Sequence, residues 1–154
     1  MSTAIAAILE PADQSSLECT GRWLAYLVAL DQGHIDQASE HLARMQALES
    51  LMPKTWSNII AVESAYLAGW FRRSADEARL WLDKLPDSLL IAPYDRLRAD
   101  AALAVATGDQ GKARDLLEEA LRSAPANALW ARDRLNEMLL DLDDERKTSN
   151  HSQV

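Results

Sequence analysis

The chain of 154 residues has one cysteine, Cys19, so no internal disulfide can form and a reducing, cytoplasmic setting is expected. Glycine and proline number only five each while Leu and Ala dominate, a composition that favours helix. No stretch approaches the roughly 18 uncharged apolar residues of a membrane span, which excludes insertion by a helix. The start, MSTAIAAILE, has no positive leading charge and meets Glu10 and Pro11 after a short apolar run, a poor export signal. Positive charge is also scarce: 16 Lys and Arg stand against 24 Asp and Glu, a formal charge of −8. Such a surface repels phosphate backbones and anionic membranes, so no nucleic acid and no lipid surface is expected as partner.

Chemistry-bearing motifs are missing too. There is no HExxH, CxxC, GxSxG or phosphate-cradling glycine loop. His34 and His41 lie seven apart, with no third ligand beside them and with His34 in a turn, so they read as solvated side chains rather than a metal site. Cys19 has no activating histidine nearby and reads as a small packing residue. Neighbouring carboxylates such as Glu118-Glu119 and Asp143-Asp144 point in different directions on a helix and read as solvated charge. No catalytic residue, metal or cofactor is expected, and the chain is not expected to be an enzyme.

What is present is a recurring helical pattern. In WLAYLVALDQGHIDQASEHLARMQAL, Trp23 to Leu48, a first helix ends at Gly33 and a second carries the apolar positions Ala38, Leu42 and Met45. A shift of 40 turns Ala25-Tyr26-Leu27 into Ala65-Tyr66-Leu67 and the second-helix set into Ala78, Leu82 and Leu85. A further shift of 35 gives Ala113, Leu117 and Ala120, with Gly108 standing where Gly33 stood. Periods of this length with two helices per unit indicate a helical repeat array, whose units bury their apolar faces against one another.

Local signals place the boundaries. Ser15 to Glu18 has the spacing of a capping box and predicts helix one from there to about Leu30; helix two follows from about Asp36 to Leu48. Pro53 suits the first turn of an aromatic-rich third helix. Ser74 to Glu77 is a second capping box, opening a fourth helix that Pro86 closes. SLLIAPY, Ser88 to Tyr94, is strand-like but has no partner strand and reads as an apolar connector. Pro93 opens a fifth helix ending at Gly108, Asp109 caps a sixth running to about Ser123, and Pro125 begins a seventh running to about Leu142. The expected layout is a flexible arm or short leading helix over 1–14, a helical repeat domain over 15–142 and a disordered polar tail over 143–154.

These units resemble degenerate tetratricopeptide repeats over roughly residues 20 to 125. Ala29, Ala38, Gly69, Ala78, Ala104, Ala113 and Ala120 match the family's small positions, Gly33 and Gly108 its turn glycine, and Pro125 its closing proline. Arg73 stands where the middle glycine should be, and the spacing of 40 departs from the family's 34. The resemblance implies an all-α superhelix (solenoid) of about three helical hairpins plus a C-terminal capping helix. A looser resemblance links the same segments to the soluble helical region that follows the membrane domain of some bacterial site-2-type metallopeptidases; the catalytic part of that family has no counterpart here.

The tetratricopeptide resemblance implies that the first helix of each pair lines a concave face. Superposing the turns puts Trp23, Leu27 and Leu30 on it from the first repeat, Glu63, Leu67 and Trp70 from the second, and Arg98, Ala102 and Val105 from the third. Trp23, Leu27, Glu63, Leu67, Trp70 and Arg98 are therefore the expected partner-binding residues, although Glu63 and Arg98 could equally pair with each other. Trp70-Phe71 followed by Arg72-Arg73 supplies the aromatic and arginine side chains favoured at binding hot spots, or else core filling and a positive helix end. The expected role is a protein-interaction scaffold holding a basic or apolar protein segment. The alternatives are a regulatory or sensory module beside a membrane metallopeptidase, or a self-assembling adaptor acting as a homodimer.

Overall fold

The computed structural model describes residues 11–85 and 91–151. Among these residues it is all-helical, with seven α-helices and no strand. They are α1 (Pro11–Asp31), α2 (Ile35–Leu48), α3 (Lys54–Tyr66), α4 (Ala75–Asp83), α5 (Pro93–Ala106), α6 (Gln110–Ser123) and α7 (Leu129–His151). A 3₁₀ turn, Glu49–Leu51, follows α2, and a π-helical turn, Leu67–Phe71, continues α3. The chain divides into two compact units, Met1–Ser64 and Ala65–Val154.

In the first unit α1 and α2 pack together as a hairpin. Gly33 makes the turn at φ 74°, in the left-handed region where a side chain is strained. Its N–H donates to the Leu30 carbonyl and the His34 N–H to the Ala29 carbonyl, a Schellman cap that satisfies the last carbonyls of α1. Tyr26, Ala29, Leu30, Ala38, Leu42 and Met45 are buried between the helices.

In the second unit the π turn packs on α4 and α5, α4 on α5, α5 on α6, and α6 on α7. The α5–α6 connection repeats the first hairpin's cap: Gly108, at φ 84°, donates to Val105 O and Asp109 N–H to Ala104 O. The middle turn differs by one residue. Arg73 takes the left-handed conformation, φ 55°, and the Ser74 N–H reaches back six residues to Ala68 O, because the π turn has inserted an extra residue. After each turn the second helix starts alike. Ala38, Ala78 and Ala113 are fully buried, and Leu42, Leu82 and Leu117 follow one turn later, also buried. Gly69 in the π turn lies so close to α5 that a Cβ would stand 2.5 Å from the Ala102 carbonyl oxygen.

Several local expectations are modified. α1 begins at Pro11, so Ser15 lies inside a helix rather than at its cap, and Glu18 instead accepts from Arg44 at 2.7 Å. At Ser74 half of the capping box forms: Ser74 Oγ accepts the Glu77 N–H, while the Glu77 carboxylate pairs with Arg72 at 2.8 Å. Asp109 caps α6 through the Lys112 N–H. Pro125 lies in the loop before α7, which starts at Leu129. Residues 143–151, expected to be a disordered tail, continue α7 to His151. Residues 1–10 of the arm expected over 1–14, Pro86, most of the apolar connector and residues 152–154 lie outside the described residues, while 11–14 form the start of α1.

Candidate functional site

The residues expected to bind a partner fall into both units. In the first, Trp23 and Leu27 are partly buried on α1. Trp23 stacks on Tyr26 with ring centroids 5.4 Å apart, and buried Tyr26 donates its hydroxyl hydrogen to Glu63 Oε2 at 2.5 Å. Glu63 is only 2% exposed. A carboxylate survives such burial only when hydrogen-bond donors replace its water, and Tyr26 is one of them. In the second unit Leu67, Trp70 and Arg98 are buried as well. The Arg98 guanidinium lies 4.7 Å from the Tyr66 ring centroid and 3.6 Å from Asp95. Thus Glu63, Leu67, Trp70 and Arg98 present almost no surface, while Trp23 and Leu27 are partly exposed. Trp81 and Trp130 are partly buried, each beneath a cation: Lys84 at 4.1 Å and Arg134 at 5.5 Å.

The surface around the Trp70-Phe71-Arg72-Arg73 motif is more accessible. The π turn rotates the helix end so that Trp70 points inward, while Phe71 stays exposed and meets the Tyr66 ring edge-on at 5.4 Å. The left-handed backbone of Arg73 carries its guanidinium to 5.9 Å from the Trp70 ring centroid and its Nη2 to 2.5 Å from Glu145 Oε1. α7 supplies the facing wall. Asp141, Asp144 and Glu145 stand at i, i+3 and i+4, the spacing that shares one helix face. Gln110 donates to Glu145 at 2.9 Å, and Arg114 pairs with Asp143 beside it. Trp70, Phe71, Arg73, Asp141, Asp144 and Glu145 together line an open recess of about 400 Å³.

The electrostatics of this recess are unbalanced toward negative charge. Glu145 is neutralised by Arg73, and Asp143 by Arg114. Asp144 makes no ion pair among the described residues. Burial pushes the Asp141 carboxyl above the usual carboxylate range, and the nearby Asp144 and Glu145 charges push it further; a hydrogen bond from Trp70 and the charge of Arg134 oppose them. The recess is lined by two aromatic rings, three carboxylates and one guanidinium.

Sequence reasoning singled out the aromatic and arginine half of this site and missed the acidic half. Asp143-Asp144 read as solvated charge because adjacent acids diverge. The signal that could have found the wall was the i, i+3, i+4 register of Asp141, Asp144 and Glu145. Elsewhere, Cys19 is fully buried, its thiol pushed up first by that burial and then by Glu18. His34 is exposed, and His41 Nδ1 lies 3.2 Å from Arg22. Among the described residues no group of three His, Cys, Asp or Glu side chains is placed to hold a metal ion, and no helix is long and apolar enough to cross a membrane. No family model, no curated protein and no solved structure matches the chain.

Proposed function

We propose that the chain is a non-enzymatic protein-interaction scaffold, built from degenerate tetratricopeptide-like hairpins and holding a basic or apolar segment of a partner protein. In this reading the hairpins form a short superhelix. One observation supports it most: positions 33, 73 and 108, related by the sequence shifts of 40 and 35, all adopt the left-handed turn, even where the residue is arginine. A backbone that repeats where the side chain does not is what a diverged repeat retains. The net charge of −8 favours a basic segment.

The test is capture from an extract of the source cell, followed by titration of synthetic fragments of whatever is retained. A single linear fragment that binds stoichiometrically by calorimetry supports the scaffold reading. Capture of no protein, or a protein bound only through its folded surface, overturns the segment-binding form.

The self-assembling alternative has an observation of its own. Leu17, Leu24 and Val28 on α1 are 61%, 58% and 54% exposed and lie along one stripe of the helix. Light scattering of the native chain and of Leu24→Glu decides it: a dimer that becomes a monomer supports self-assembly, and a monomeric native chain removes it.

A further inference from the structure

We propose that the recess between Trp70-Phe71 and α7 receives a cationic side chain, an arginine above all, from the partner segment. The proposal deepens the scaffold reading and rests on it only for the source of the cation. Three features carry it. The recess is open, with exposed Phe71 and the largely covered Trp70 on one side and two acidic side chains, Asp141 and Asp144, on the other. A guanidinium between an aromatic ring and a carboxylate gains from both, since the ring's negative face and the carboxylate act in the same direction. The chain already makes this arrangement with its own Arg73, which lies over Trp70 and bonds to Glu145. Arg73 thus shows that the walls suit a guanidinium, yet it engages only one of the acids lining the recess.

The remaining pair sets the chemistry of the guest. Asp141 and Asp144 lie one helical turn apart on the same face, so one planar fork of N–H donors can serve both. Trp70 and Asp141 line the recess together, on its aromatic and acidic sides. The positive charge of a guest would also relieve the repulsion among Asp141, Asp144 and Glu145. A neutral or anionic guest would leave that repulsion in place. Phe71, exposed at the rim, offers apolar contact to the methylene stem of the same side chain.

The experiment follows the Trp70 indole N–H in proton–nitrogen correlation spectra of the full chain, its peak assigned by its absence from Trp70→Phe. The probe is the tripeptide acetyl-Gly-Arg-Gly-amide, compared with the same peptide carrying citrulline, its neutral isostere. The expected result is saturable movement of the Trp70 peak with arginine and none with citrulline. Asp144→Asn, shown to be folded by the same spectra, weakens binding about tenfold. Glu118→Gln removes an equal charge from the exposed face of α6, outside the recess, and leaves binding unchanged. An immobile Trp70 peak, an equal response to citrulline, or equal weakening by Glu118→Gln overturns the proposal. A captured partner segment that Asp144→Asn still binds at full affinity overturns it too, while leaving the scaffold reading intact. Arginine binding at the recess with no partner segment in the cell does the reverse.

Discussion

Arg73 occupies a backbone conformation that suits glycine, and its side chain is put to use from there. A non-glycine residue in the left-handed region costs on the order of 1 kcal/mol. Its surface ion pair to Glu145 returns no more than about 1 kcal/mol. Arg73→Gly is therefore expected to leave the stability unchanged or raised by less than about 1 kcal/mol. Gly108→Arg, with the same side chain at the equivalent turn and no Glu145 beneath it, should lower stability by about 1 kcal/mol. Urea denaturation of the two variants checks the contrast, and a substantial loss in Arg73→Gly would mean that the ion pair outweighs the strain. Gly69 is constrained for a different reason. Its Cβ would meet the Ala102 carbonyl oxygen at 2.5 Å and carbonyl carbon at 2.6 Å, both backbone atoms that cannot swing aside. Gly69→Ala is expected to cost about 2 kcal/mol by the same measurement, because the π turn and α5 must separate.

At the level of elements, α7 shows how far charge pairing can carry a helix. Beyond Leu142 its sequence has no apolar periodicity, which is why it read as a disordered tail. As far as Glu145 the helix is anchored by other elements: Arg73 and Gln110 hold Glu145 and Arg114 holds Asp143, contacts brought from 29 to 72 residues away. Asp141 works against this. Its folded-state pKa is raised above the ordinary 3.8, so the folded chain holds the proton more tightly than the unfolded chain does. The associated stability is fully present below that ordinary value and is lost as pH rises through the raised one. Asp141→Asn, which keeps the shape of the side chain, should raise the melting temperature at neutral pH, with the difference closing as pH falls toward about 4. Thermal melts of both proteins across that range test the sign; a gap that widens on acidification would show that Asp141 is stabilised as an anion.

For the molecule as a whole, charge and repeat pattern were the legible quantities. With −8 net charge the chain should pass through immobilised heparin or duplex DNA unretained at physiological salt; retention there would reveal a basic face that the overall balance hides. The all-helical class and the turn glycines at 33 and 108 could be read directly. So could the buried alanines at 38, 78 and 113 and the leucines at 42, 82 and 117. Each of these depends on a few neighbouring residues: a period of 3.6, a cap, a left-handed turn. The π turn was not legible, since nothing local distinguishes Leu67–Phe71 from an ordinary helix end; its extra residue is seen only when Ser74 bonds to Ala68 rather than one residue later.

The amino-acid sequence by itself determined that this chain is helical, acidic and periodic, because propensity, capping and apolar spacing act over one or two helical turns. Only the tertiary structure decided which charges are buried and which face solvent. Glu63 is buried with Tyr26, 37 residues earlier, as a donor, and Arg98 lies over Tyr66. Asp141, Asp144 and Glu145 form a wall because the middle turn brings Trp70, Phe71 and Arg73 against them. The cost of burying a charge depends on the partners that distant segments supply, and a linear pattern of residue types does not contain that information.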